Sequence, residues 1–163
     1  MLSLIWAQDE QGLIGRADDL PWRLASDMKY FKETTLQGDV LMGRKTYESF
    51  PNGPLKDREN MVLTTNPDFQ AEAEVLVFHS KEEALAHVAN WPRPLYVIGG
   101  AQIYDLFLSE ADELRVTRIQ ARFEGDTYFP EVDWAQWQLV ESWPGAVDER
   151  SPYAHQFEIY RRK

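Results

Sequence analysis

Short apolar runs alternate with helix-patterned segments, and this alternation constrains the fold more than any other feature of the chain. The candidate strands are Leu2–Gln8, Asp39–Gly43, Asn60–Thr64, Glu74–Phe78, Leu95–Gly99, Glu113–Gln120, Gln138–Trp143 and His155–Arg161. Several of the first five are continuously apolar, as strands covered on both faces are. Between them lie helical patterns. Ser26–Leu36 sets Met28, Phe31 and Thr35 on one face, with Ser26 as a candidate N-cap. Ser80-Lys81-Glu82-Glu83 is a capping box ahead of Ala84, Leu85 and Val88. Ala101–Leu108 and the short Lys45–Phe50 complete the set. Such alternation predicts an α/β fold: one domain over 1–163, a central, mostly parallel eight-stranded sheet with an antiparallel C-terminal strand, and about four flanking helices. The last two strands are joined by about eleven residues rich in Pro, Gly and acids, which predicts an antiparallel hairpin at one sheet edge.

No apolar run approaches the ~20 residues that span a bilayer, and the N-terminus lacks the basic start of a leader. No membrane partner is expected. The absence of cysteine excludes disulfides and thiolate metal sites and agrees with a cytoplasmic location. The net charge of −10 argues against a nucleic-acid binder, which needs a basic stripe. An anionic ligand therefore requires locally concentrated positive charge. Arg44, Lys45, Lys56 and Arg58 supply it, opposed in that stretch only by Glu48 and Asp57. The same cluster also reads as a solvated charged face.

Two candidate strands end in glycine followed by a helix: Val40-Leu41-Met42-Gly43 before Arg44-Lys45-Thr46, and Val97-Ile98-Gly99-Gly100 before Ala101-Gln102-Ile103. Ligands of parallel sheets bind beyond the strands' carboxyl ends. There glycine permits close approach, and the following helix offers free N–H groups to a phosphate. Two such sites suit a pyrophosphate, although a tight turn also explains Gly-Gly. No G-x-G-x-x-G follows the first strand, so the ordinary dinucleotide fingerprint is absent. Arg44 with Thr64-Thr65-Asn66 is suitable chemistry for a phosphate monoester such as the 2′-phosphate of NADPH; the alternative for Thr64–Asn66 is a plain turn.

Asp27 falls in the first turn of a predicted helix, where capping is the common role of an acid. It shares a face with Phe31, four residues on, so a carboxylate and a ring could together hold a flat ligand. Along its whole length the sequence resembles the bacterial chromosomal dihydrofolate reductases. The resemblance runs in order through Ile5-Trp6-Ala7-Gln8, Gly12-Leu13-Ile14-Gly15, Leu20-Pro21-Trp22, Asp27, Phe31-Lys32, Met42 to Ser49, Val62-Leu63-Thr64, Val97 to Tyr104, Thr117 and Glu124-Gly125-Asp126-Thr127.

The resemblance implies NADPH-dependent reduction of dihydrofolate, with antifolates as inhibitors and a monomeric enzyme supplying one-carbon metabolism. Asp27, Trp22, Leu20 and Thr117 would be the catalytic residues. Asp27 would bind the pterin's 2-amino group and N3, backed by Thr117. Ile5, Trp6, Ala7, Met28 and Phe31 would line the substrate side, together with Ser49, Phe50, Leu55 and Ile98. Arg58 would hold the glutamate α-carboxylate. The cofactor would lie against Ala7, Ile14, Gly15 and Leu20, then Gly43, Arg44, Lys45 and Thr46. It would continue along Leu63, Thr64, Thr65, Asn66 and His79, then Ile98, Gly99, Gly100, Ala101, Gln102, Ile103 and Tyr104, with Thr127 at the edge. Gly99-Gly100 would be a cis peptide, and residues from about 9 to 24 a loop closing over the nicotinamide. Ala25 and Lys56 depart from the family pattern, standing where proline is common, which puts local rigidity and inhibitor fit in doubt. A same-fold pyrimidine reductase of riboflavin synthesis is the nearest rival reading, and a non-enzymatic nucleotide binder a further one. Neither needs Leu20-Pro21-Trp22, Asp27 and Arg58 together.

Overall fold

The computed structural model describes residues 1–17 and 19–163; Asp18, within the expected loop, lies outside the described residues. In chain order the elements are β1 (Leu2–Gln8), β2 (Leu13–Gly15), α1 (Ala25–Thr35), β3 (Asp39–Gly43), α2 (Arg44–Glu48), β4 (Asn60–Leu63) and β5 (Leu76–Phe78). They continue with α3 (Lys81–Val88), β6 (Leu95–Val97), α4 (Ala101–Phe107), β7 (Glu113–Ile119), β8 (Thr127–Tyr128), β9 (Trp137–Pro144) and β10 (His155–Arg162).

Eight strands form one sheet in the order β5-β4-β3-β6-β1-β7-β10-β9. The ladders from β5 through β7 are all parallel. Only β10 runs against its neighbours, pairing antiparallel with β7 and β9. The expected sheet and closing hairpin are therefore present. Side chains alternate across the sheet as strand geometry requires. Leu4, Leu41, Met61, Val97 and Leu114 face α3 and α4, where Ala84, Tyr104 and Phe107 cover them. Ile5, Val40, Met42, Val62 and Tyr96 face the other way, beneath Tyr30 and Phe31 of α1 and Tyr47 of α2. This two-sided cover explains why β3 and β4 are buried at every position and apolar beyond their first residues, Asp39 and Asn60.

Three expectations are corrected. Glu74 and Val75, Thr64, and Ile98 with Gly99 lie beyond the regular strands. At Thr64 and Ile98 single ladder bonds persist (Thr64 N–H to the Phe78 carbonyl, Ile98 N–H to that of Leu41, both 2.9 Å) before the chain leaves the sheet. A second sheet, β2 with β8, has no counterpart in the sequence reading, because runs of three and two residues carry no readable period. Finally, Leu24 rather than Ser26 sits at the N-cap of α1, with no side-chain cap bond. At α3 Ser80 caps as the box predicts, Glu83 N–H donating to Ser80 Oγ at 3.1 Å, while Glu83 Oε2 accepts from the N–H of His79, one residue before the N-cap, at 3.3 Å.

Candidate active site

The two strand-to-glycine-to-helix sites meet in space because β3 and β6 are adjacent and parallel. Gly43 N–H donates to the Gly99 carbonyl at 2.8 Å, and the Gly99-Gly100 peptide is cis. Gly43 and Gly100 stand at the N-caps of α2 and α4 without side-chain caps. Their helices' first N–H groups therefore remain open to a ligand. A Cβ on Gly43 would lie 3.0 Å from Ile103 Cγ1, so a side chain here would press on Ile103 at this crossing.

Around this crossing opens a cleft of about 880 Å³. It is walled by Ala7, Ile14, Gly15 and Leu20; by Gly43, Arg44, Lys45, Thr46 and Ser49; by Leu63, Thr64, Thr65 and Asn66; and by Ile98 through Tyr104, with Thr127. The structure thus brings together every expected cofactor residue except His79. His79 lies just outside, its Nδ1 2.9 Å from the Thr64 carbonyl. Asp19 and Leu106 also line the cleft and were not anticipated. Arg44 projects at the rim, where its Nη1 is held 2.5 Å from Glu48 Oε1, one turn on. Tyr104 closes the floor: its hydroxyl donates to the Ile5 carbonyl at 2.7 Å, and burial raises its pKa. Trp6 lies on the α4 side, stacked on Phe129 at 3.6 Å between ring centroids. Its indole therefore borders the cleft rather than the apolar wall that contains Ile5.

A smaller pocket of about 210 Å³ adjoins the cleft and shares Asp19 and Leu20 with it. Trp22, Leu24, Asp27 and Met28 complete its wall, with Arg23. Here α1 crosses β7, and Thr117 Oγ1 donates to Asp27 Oδ1 at 2.7 Å. Burial raises the Asp27 pKa, opposed first by that hydrogen bond and then by the charge of His155. Trp22 is buried, yet among the described residues its Nε1–H has no partner. A buried donor without a partner is costly, and this one belongs to a residue of the pocket wall, where a ligand or a bound water can accept from it. Met28 is 63% exposed and Leu20 53%, so both present apolar surface outward rather than filling the core.

Phe31, Phe50, Leu55 and Ile98 gather against Ile5 in one apolar group. Arg58 stands beside the C-terminal turn of α1, its Nη1 donating to Thr35 Oγ1 at 2.9 Å and its Nε to the Lys56 carbonyl at 2.8 Å. Four of its five guanidinium N–H groups lie outside the Nε bond, and only one of those is engaged by Thr35. Asp126, of the Glu124-Gly125-Asp126-Thr127 motif, is a structural acid. Its two carboxylate oxygens lie 3.3 and 3.1 Å from Ala17 N, and its own N–H donates to the Gly15 carbonyl at 3.2 Å. These bonds tie the loop after β2 to the strand that begins with Thr127.

The dihydrofolate reductase family matches residues 1–162. The dihydrofolate reductase of Enterococcus faecium is 41% identical over 162 residues, covering 99% of this chain and 97% of that protein. That of Bacillus subtilis is 42% identical over 163 residues, covering 100% and 95%. A solved structure of dihydrofolate reductase from Enterococcus faecalis, complexed with NADP(H) and RAB-propyl, superposes with a TM-score of 0.94 at 47% identity. It covers 100% of this chain and 96% of that one.

Proposed function

Because this chain belongs to the dihydrofolate reductase family, we propose that it reduces 7,8-dihydrofolate to 5,6,7,8-tetrahydrofolate with NADPH, and that Asp27 anchors the pterin during the reaction. The observation that carries the reading is the placement of Asp27, held by Thr117, in the wall of a small pocket that adjoins the glycine-bordered cleft. The rival pyrimidine reductase reading is not favoured, since the match spans the whole chain, including the acid pocket.

The residues present fit the cofactor. Open helix N-termini at Gly43 and Gly100 can receive a pyrophosphate, and Gly43 leaves the space that a side chain would fill. Arg44, Thr64, Thr65 and Asn66 form the corner suited to the 2′-phosphate, with Lys45 and Thr46 beside it. When bound, NADPH supplies the hydride that adds to C6 of the pterin. The chain's own residues then do three things. Asp27 accepts the pterin's N–H groups while Thr117 fixes its orientation. Trp22 Nε1–H donates to the ligand or to a water beside it. Leu20, from the loop tied down by Asp126, covers the ring junction and excludes bulk water, which strengthens every electrostatic contact inside. Asp27 acts as an electrostatic partner of the protonated pterin, while water carries the proton to N5. Ile5, Ala7, Phe31, Ser49, Phe50, Leu55 and Ile98 hold the pterin and the benzoyl group beyond it, and Arg58 takes the glutamate α-carboxylate. Antifolates occupy the same pocket. One domain over 1–163, monomeric and cytoplasmic, carries the whole activity.

The test is NADPH oxidation by purified protein with dihydrofolate, in wild type and Asp27→Asn. Wild type turns over and is blocked by an antifolate. A wild-type rate in Asp27→Asn at neutral pH would sink the assignment of the acid.

A further inference from the structure

The connection between β9 and β10 reaches across the molecule to the first turn of α1, the turn that carries Asp27. Helix N-termini leave their first N–H groups without partners, and Leu24 makes no side-chain cap bond here. Those groups are satisfied from the distant connection instead. Ala25 N–H donates to the Arg150 carbonyl at 3.0 Å, and Ser26 N–H donates to Ser151 Oγ at 2.9 Å. Ser26 Oγ lies 2.5 Å from His155 Nε2. His155 Nδ1 lies 2.7 Å from the Tyr153 carbonyl, which can only accept, so Nδ1 donates there and Nε2 is left to meet the serine hydroxyl.

This cap is rigid. Asp148 Oδ1 accepts from the N–H groups of Arg150 and Ser151 at 2.9 and 2.8 Å, fixing the turn that presents the Ser151 hydroxyl. Ser151 and His155 are both buried, at 1% and 2% exposure. A Cβ on Gly145 would collide with the His155 ring, so the imidazole is wedged between this backbone and Ser26. Asp27 follows Ser26 directly. Its carboxylate position relative to Thr117 is therefore set by where the first turn is held.

We propose that Ser151 and His155 are positioning residues for the reaction: Ser151 caps α1 from outside the helix, His155 holds the Ser26 hydroxyl, and together they keep the Asp27 carboxylate at Thr117 and the pterin. The proposal rests on the reading of Asp27 given above. It is tested with Ser151→Ala, which removes the acceptor; His155→Phe, which keeps aromatic volume but removes both ring bonds; and His155→Gln, whose amide can both donate and accept. Misplacement of a reacting group by about 1 Å can cost on the order of a hundredfold. A shift of part of that size predicts a loss of about tenfold in kcat/KM for dihydrofolate in Ser151→Ala and His155→Phe. KM for NADPH stays at the wild-type value, and His155→Gln recovers most of the loss. Rates are taken per mole of folded protein, and Ser151→Ala decides the matter if His155→Phe does not fold. An unchanged kcat/KM, a parallel rise in KM for NADPH, or no recovery in His155→Gln overturns the proposal. Asp27→Asn measured alongside separates the two claims. If it keeps the wild-type rate, the reading of Asp27 itself has failed. If it is impaired while Ser151→Ala is not, only the positioning role falls.

Discussion

The cofactor cleft and the acid pocket share a wall, yet they are built by opposite means. The cleft is built around main chain: two strand ends, the glycines Gly43, Gly99 and Gly100, and two uncapped helix starts, each site compact in sequence. The pocket is lined by residues of α1 and the loop before it, with Thr117 of β7 holding Asp27 and β10 meeting the first turn of the helix. A main-chain site spreads its binding over many N–H groups and has few single points of failure. A side-chain site concentrates its effect in one or two atoms. Point substitutions should therefore hurt the pterin side far more than the cofactor side.

The largest effect is expected at Asp27. Asp27→Asn keeps the shape and an oxygen for Thr117 but loses the charge, and general acid–base and electrostatic roles of this kind are worth about 10²–10⁴. The rate with dihydrofolate should fall on the order of a hundredfold or more at neutral pH, while NADPH affinity, measured by fluorescence titration, stays unchanged. A comparable loss of NADPH affinity would break the division between the two regions.

Arg58 ranks next. Charge-assisted bonds contribute about 1.5–3 kcal/mol, and about 1.4 kcal/mol is tenfold. Arg58→Leu should weaken dihydrofolate binding on the order of ten- to a hundredfold and leave a pterin without the glutamate tail unaffected. Equal losses for both ligands would show that Arg58 supports the fold rather than the carboxylate. Arg44 should matter less, because its guanidinium is already paired with Glu48. Arg44→Ala should lower the NADPH-over-NADH preference by about tenfold at most. No change in that ratio would leave the 2′-phosphate to the N–H and hydroxyl groups of Thr64, Thr65 and Asn66.

The same division decides what could be read from the sequence. Strand, glycine and helix start lie within about ten residues of one another at each cofactor site, so the pattern is visible without a fold. The acid pocket depends on contacts between distant segments. Ser26 has the chemistry of an N-cap, and local reasoning assigned it that role. The structure instead spends its hydroxyl on His155, 129 residues away, while Ser151 caps the helix from outside. Nothing local to Ser26 signals this. Ala25 is a related case: it departs from the family's usual proline, and its N–H, which proline would lack, meets the Arg150 carbonyl. The unpartnered indole N–H of Trp22 and the bonds from Ala17 to Asp126 likewise appear only once the chain is folded.

The smallest effect concerns stability, and it too separates the regions. Burial raises the Asp27 pKa above its ordinary value of 3.8, so the folded state disfavours the ionised carboxylate that the pterin requires. Below 3.8 both folded and unfolded chains hold the proton, and the group costs nothing. As pH rises through the window from 3.8 to the raised folded value, the unfolded chain loses its proton first and stability falls; above that window the cost is constant. Asp27→Asn removes the titration but keeps the Thr117 contact. Its melting temperature should therefore match wild type in acid and exceed it at neutral pH, the gap opening across that window. Arg44→Ala, at a half-buried position of the other region, should show no such pH-dependent gap. A neutral-pH melting temperature below wild type for Asp27→Asn would mean that the carboxylate stabilises the fold. The acid pocket would then cost the protein nothing to maintain, and the contrast between a tolerant main-chain cleft and a costly side-chain pocket would hold for catalysis alone.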